Sequence, residues 1–189
     1  MADGQFETLE DVDKWCVGQL VRAAVDKRSP FRWPILCTAG PGPKGRVVVL
    51  RNFEQATRSL IFFTDKRSHK CEELRVHDGA ECVFFDPKKM IQIRARGPVK
   101  TAITGPQVDQ HFENVATHSW RDYAYSDAPG TPIDQWPSYS LEEAQALQNF
   151  CVLTMSVETL DWLNLSREGH QRALLNWSDS GPGHSWLVP

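Results

Sequence analysis

The sequence predicts a single α+β domain, mainly β, built as a small barrel with peripheral helices. Three observations lead there. Short β-branched and aromatic runs recur along the chain, separated by Gly, Pro, Asp or Asn. One longer segment near the N-terminus instead repeats its apolar residues every three or four positions. A length of 189 residues, 41% hydrophobic and 24% charged, suits one domain with a real core. The expected domain spans 1–189, with the barrel over about 30–177.

The first element is a helix over about 9–26, where Leu9, Val12, Trp15, Cys16, Gln19, Leu20, Ala23 and Ala24 recur at spacings of three and four and gather most of the apolar side chains on one face. Ser29-Pro30 ends it, because a residue before proline is pushed out of the helical region. The period then changes. Strands are predicted over 31–38, 46–53, 59–64, 80–85 and 90–101, with a turn at 40–45. A short helix follows Ser68, its expected N-cap, and runs to His77 with Glu72 and Glu73 suiting the helix dipole. Gly105-Pro106 opens another helix through Ala116, and 119–139 reads as a surface loop. Ser140 and Glu143 form a capping box for a helix over 141–149, and strands over 152–157, 159–165 and 171–177 close the barrel.

Charge and cysteine usage exclude several classes. The net charge is −3, which argues against a polybasic grip on nucleic acid. No apolar run approaches the roughly 18–20 residues of a membrane span. The acidic N-terminus lacks the layout of a secretory signal. Five cysteines, an odd number without a CxxC pair, read as reduced thiols in a cytoplasmic protein.

Gly40, Gly42 and Gly45 satisfy the spacing G-x-G-x-x-G, but a strand follows them where the dinucleotide motif needs a helix N-terminus. They read as a hairpin turn. His111 and His118 can share a helix face, yet no further ligands complete a metal site, and none is expected. No nucleophile elbow, zinc-protease helix or P-loop is present. Ser68, Lys70 and the amides of their helix could form an anion-binding corner with Arg46; read alone, they are better explained by a capped helix and a solvated arginine. Gln92 is an amide within an apolar strand and needs partners, from backbone or from a ligand. Trp162, taken alone, is more often core than a cofactor wall.

The order of these pieces resembles the pyridoxamine 5′-phosphate oxidase family. It runs Arg46-Val-Val-Val-Leu-Arg51, Ile61-Phe-Phe-Thr-Asp65, Ser68-His-Lys70, Gln92, then Trp162 with His170-x-Arg172. The resemblance covers about residues 30–177 and is closest to a divergent, oxidase-related FMN-binding branch. It implies an FMN-binding split β-barrel that works as a homodimer, with FMN at the subunit interface. It places the flavin against Arg46, Val47, Val48, Val49, Leu50 and Arg51, and against Phe63 and Thr64. The implied phosphate contacts are Arg46, Ser68, His69 and Lys70, with His69 standing where the family has arginine. Gln92 would meet the ring edge, and Trp162 and Arg172 would close over the ring from the partner subunit.

The resemblance also implies an FMN-dependent oxidoreductase that transfers a hydride from a small molecule to FMN, with no catalytic nucleophile from the protein. The alternative is a flavin-binding or related cofactor-binding protein without turnover. Implied substrate contacts are Arg51, His111, Ser119 and His170. Val115 falls near a family arginine, and Glu168 stands where the family has the arginine of Arg-x-His. These exchanges predict that a dianionic substrate such as pyridoxamine 5′-phosphate is disfavoured.

Overall fold

The computed structural model describes residues 5–115, 119–135, 143–178 and 181–189. Its first helix, α1 (Leu9–Val25), starts at Thr8, whose hydroxyl accepts from the Asp11 amide at 3.1 Å. Val12, Cys16, Leu20 and Ala23 form its buried stripe. The helix stops at Asp26, before Ser29-Pro30 is reached.

The predicted strand over 31–38 is shorter. Pro30–Arg32 form a 3-10 turn, started by the Ser29 hydroxyl accepting from the Phe31 amide, and β1 is only Ile35–Thr38. The turn drops Phe31 into the core, against Trp15 and Phe84. The predicted strand over 46–53 is two strands. β2 (Lys44–Val47) pairs with β1 in a hairpin, so Gly40 and Gly42 lie in the expected turn while Gly45 is already in the strand, opposite Cys37. β3 (Leu50–Glu54) pairs with β4 (Ser59–Asp65). The chain changes partner at the buried Val48, whose amide donates to the Pro34 carbonyl at 2.9 Å.

Helix α2 (His69–Val76) then precedes β5 (Gly79–Asp86) and the long β6 (Ile91–Ala102). Helix α3 (Pro106–Glu113) and a 3-10 turn at Trp120–Tyr123 lead to α4 (Glu143–Asn149). The expected N-cap Ser140 and the first expected helical residue Leu141, like Ala116 and His118, lie outside the described residues. The segment expected as a surface loop carries buried anchors, Trp120 and Tyr123, in a second core cluster with Phe112 and Phe150. β7 (Phe150–Ser156), β8 (Thr159–Asn164) and β9 (Gln171–Asn176) follow, and β10 (Ser185–Leu187) is a short edge strand the sequence did not announce.

The strands form one curled antiparallel sheet in the order β10-β9-β8-β6-β5-β1-β2, with β3, β4 and β7 joined through β6. β6 is the hinge of this split barrel. Its first half pairs with β8 through Arg96, and its second half pairs with β7 from Val99. Gly97 lies at the switch, where a Cβ would stand 1.8 Å from the Ser156 carbonyl oxygen. Only glycine lets the two backbones approach so closely. The main core fills the curl with Leu36, Leu50, Phe62, Phe84, Ile93 and Leu160. All five cysteines are free thiols. Among the described residues no helix is long and apolar enough to cross a membrane.

Candidate functional site

Three clusters receive the residues singled out in the sequence. The first is the start of α2. Ser68 occupies the N-cap position, but its hydroxyl does not cap: it donates to the Asp65 carbonyl at 2.7 Å and lies 3.4 Å from Thr64 Oγ1. The first-turn amides therefore receive no side-chain cap. Lys70 Nζ donates to Thr64 Oγ1 at 2.8 Å, and among the described residues it has no carboxylate partner. Burial pushes the Lys70 ammonium down, and the nearby Arg46 charge adds to this. The thiol of the next residue, Cys71, is lowered to about 7 by its contact with Cys151, against burial and with help from Ser68 and Lys70.

Arg46 reaches the same helix but is already matched in charge. Its Nη2 donates to Glu73 Oε2 at 2.8 Å, and Nη1 bonds Thr38 and the Leu36 carbonyl. Burial pushes the Glu73 carboxyl up, yet the Thr38 hydroxyl and Arg46 outweigh it and hold the group below its usual range. Two neighbours went unnoticed in the sequence. Arg67 chelates Asp65 and donates to the Tyr125 and Ser126 carbonyls at 3.0 and 2.9 Å, pinning the following loop beside α2. Gly130 of that loop lies against His69.

The second cluster is a cavity of about 540 Å³ between β3, β4, α3 and the end of α1. Arg51, Phe63, His111, Val115 and Ser119 all line it. The pairing of β3 with β4 slips between Leu50 and Asn52, which leaves Arg51 as a β-bulge. The bulge lets Leu50 and Phe53, three residues apart, both point into the core while Arg51 and Asn52 both line the cavity. The Arg51 guanidinium lies 5.4 Å from the Phe63 ring centre, and the Phe63 and His111 rings are 5.3 Å apart.

The third cluster is on the outer face of the larger part of the sheet. In one row, Phe85 pairs with Gln92, Gln92 with Leu163, and Leu163 with Arg172. Arg172 and Arg94 both bond Asp161, Arg172 through Nε at 3.1 Å and Nη2 at 2.8 Å. Exposed Phe85 ends the row, and exposed Ile35 and Val47 lie in the row beside it.

Trp162 is a correction. It pairs with Ile93 and Ala173, so strand alternation turns it to the opposite side of the sheet from Leu163 and Arg172. It is 0% exposed and packs on Phe6 with ring centres 5.5 Å apart, so it belongs to the core and cannot wall a partner's flavin. Val48 and Leu50 are core residues too, whereas Val47 is 61% exposed and Val49 half-buried. Glu168 and His170 are exposed in the β8–β9 turn and are not among the residues lining the cavity.

The model of the pyridoxamine 5′-phosphate oxidase FMN-binding domain matches residues 15–103, a span that holds Arg46 to Arg51, Phe63, Thr64, Ser68 to Lys70 and Gln92. A pyridoxine/pyridoxamine 5′-phosphate oxidase of Neisseria meningitidis serogroup B is 30% identical over 114 residues, 60% of this chain and 51% of that protein. The Caulobacter vibrioides protein of the same name is 34% identical over 77 residues, 41% of this chain and 33% of its own. The chain thus spans a third to a half of the length of these curated relatives. A pyridoxamine 5′-phosphate oxidase-related FMN-binding protein from Nostoc punctiforme superposes with a TM-score of 0.77 at 22% identity, over 93% of this chain and 96% of that one. PhzG from Burkholderia lata, solved with tetrahydrophenazine-1-carboxylic acid, gives 0.72 at 17% identity, over 99% and 95%. At these identities the two structures show the fold, a split barrel.

FMN, the cofactor of the matched domain, fits the residues present. The uncapped N-terminus of α2 and a half-buried Lys70 with only a neutral partner suit a phosphate. Arg46, spent on Glu73, contributes less there than its position suggests.

Proposed function

Residues 15–103 of this chain belong to the FMN-binding domain family of pyridoxamine 5′-phosphate oxidase, and from that premise we propose that the protein is an FMN-dependent oxidoreductase acting on a small molecule as a homodimer. The observation that carries the reading is Lys70, half-buried, without a carboxylate partner among the described residues and standing at uncapped helix amides. When bound, FMN supplies the hydride acceptor, and oxygen can reoxidise it.

The protein's share is binding, orientation and electrostatics. Lys70 and the α2 amides hold the phosphate by charge-assisted hydrogen bonds. Arg51 and Phe63 bound the cavity in which the donor would lie, and His111 lines it too, its ring tilted against Phe63. Gln92 offers an amide to the polar edge of the ring, and Arg172 a positive charge where negative charge collects on reduction. Gln92 and Arg172 share a row on the outer face, so a C2 partner seated on that face brings the partner's Arg172 toward the flavin that Gln92 meets. The exposed apolar residues around that row support a C2 partner that covers it.

Anaerobic mixing of the FMN-loaded protein with candidate donors tests the proposal. Bleaching of the visible flavin band by a small-molecule amine or alcohol supports an oxidoreductase. Tight flavin binding with no bleaching by any donor favours a binding protein without turnover.

A further inference from the structure

Two buried thiols lie beneath the α2 corner, and nothing in the flavin chemistry uses them. Cys151 of β7 stands across the ladder from Thr64 of β4, the residue that receives Lys70. Strand alternation turns both to the main core, Cys151 in step with Leu153 and Met155, and Thr64 with Leu60 and Phe62. Cys71, in the first turn of α2, drops into the same cluster. Its sulfur lies 3.5 Å from Ser68 Oγ and 3.5 Å from the Asp65 carbonyl oxygen. Ser68 Oγ is in turn 3.4 Å from Thr64 Oγ1. The helix start, the end of β4 and the start of β7 thus converge on two sulfurs, which share a side-chain hydrogen bond. The pair is not symmetric. Cys71 is 5% exposed and Cys151 0%. Cys71 is held at about 7 by Cys151, against burial and with help from Ser68 and Lys70, while Cys71 and burial push Cys151 up. Burial pushes the other three thiols, Cys16, Cys37 and Cys82, up as well. Cys71 is therefore the nucleophile and Cys151 the thiol that resolves it.

We propose that Cys71 and Cys151 are a peroxide-sensitive dithiol whose disulfide draws the start of α2 onto β7 and weakens the hold on the FMN phosphate. The Cys71 sulfur attacks one oxygen of hydrogen peroxide, the O–O bond breaks, and water leaves behind a Cys71 sulfenic acid. The Cys151 sulfur then displaces that hydroxyl, its thiol proton leaving with it as a second water. Two thiols are oxidised to one disulfide, and one peroxide is reduced to two waters. A disulfide holds two sulfurs much closer than a hydrogen bond does, so Cys71 moves toward β7 and carries Lys70 and the first-turn amides with it. Helix α2 buries only Cys71 and Leu74, so little packing resists the shift. The dithiol stands independently of turnover, and only its effect on flavin rests on reading Lys70 and the α2 amides as the phosphate site.

The test treats the full chain with hydrogen peroxide and reads free thiols, peptide mass and FMN affinity before and after a thiol reductant. Two of the five thiols disappear, in a single peptide pair joining Cys71 to Cys151, and both return on reduction. The oxidised protein binds FMN roughly tenfold more weakly than the reduced one, the loss of about one phosphate hydrogen bond. Cys151→Ser stops at the Cys71 sulfenic acid, which dimedone traps. Because both cysteines are buried, the peptide map of the unaltered protein decides the matter if that variant does not fold. Cys71 and Cys151 both remaining thiols, or disulfides that join other cysteines or two chains, overturn the proposal. A Cys71–Cys151 disulfide that leaves FMN affinity unchanged overturns the effect on the phosphate site. FMN binding to neither form overturns the flavin reading and leaves the dithiol standing.

Discussion

Gln92 and Arg172, eighty positions apart in sequence, stand in one row of the outer sheet face with only Leu163 of β8 between them. Arg172 is held there by Asp161, and the apolar neighbours Ile35, Val47 and Phe85 are 44%, 61% and 43% exposed. The polar row set in an apolar rim has the make-up of an interface centre.

That surface predicts the first outcome. Val47→Glu places a charge in the apolar rim and should dissociate the dimer while leaving the thermal midpoint of the monomer nearly unchanged, because Val47 is outside the core. Sedimentation of wild type and variant at matched concentrations checks it. A monomeric wild type in the presence of FMN would contradict the dimer.

Lys70→Ala removes the cation that faces the uncapped α2 amides. FMN affinity should fall by roughly tenfold to a hundredfold, the cost of one charge-assisted phosphate contact of about 1.5–3 kcal/mol. Arg46→Ala should cost less in FMN affinity and more in stability, since its guanidinium ties β2 to α2 through Glu73. Fluorescence titration of the flavin and thermal melts separate the two effects.

Acid should unfold the protein through Asp161 and Glu73. Burial pushes both carboxyls up, but Arg172 and Arg94 at Asp161, and Thr38 and Arg46 at Glu73, hold them below their unfolded values. A carboxyl lowered on folding stabilises fully above its unfolded pKa, and that stability is lost as pH falls through the folded one. Denaturant midpoints should therefore decline below about pH 4, the unfolded carboxyl range. The double variant Asp161→Asn, Glu73→Gln should be less stable at neutral pH and show a flatter acid limb. An unchanged acid limb would remove these two groups as its cause.

Gly97→Ala forces a methyl group against the Ser156 carbonyl at the point where β6 changes partner. The strain should cost about 1–3 kcal/mol and lower the melting temperature by several degrees. Gly18→Ala, with nothing within 4 Å of its Cβ position and a helical site, should be neutral or stabilising.

Much of the architecture was legible because it is local. The stripe of Val12, Cys16, Leu20 and Ala23 declares α1, and a strand after Gly45 rules out a dinucleotide turn. What escaped depends on pairing. Leu50 and Phe53 share a face only because Arg51 bulges, which a period-two reading of 46–53 hides. The family resemblance sets Trp162 and Arg172 together over the ring, yet the β8–β9 register sends them to opposite faces. Arg32 also lines the Arg51 cavity and was hidden because 31–38 reads as a strand, whereas its start is a 3-10 turn.

The central claim is that the α2 corner, the Arg51 cavity and the Gln92–Arg172 row serve one flavin. Equilibrium titration of the purified protein with FMN, followed by flavin fluorescence and mass, tests this most directly. The account predicts saturation at one FMN per chain, with affinity lowered by Lys70→Ala and by Arg172→Ala alike. No saturable FMN binding, or binding indifferent to both substitutions, would contradict it.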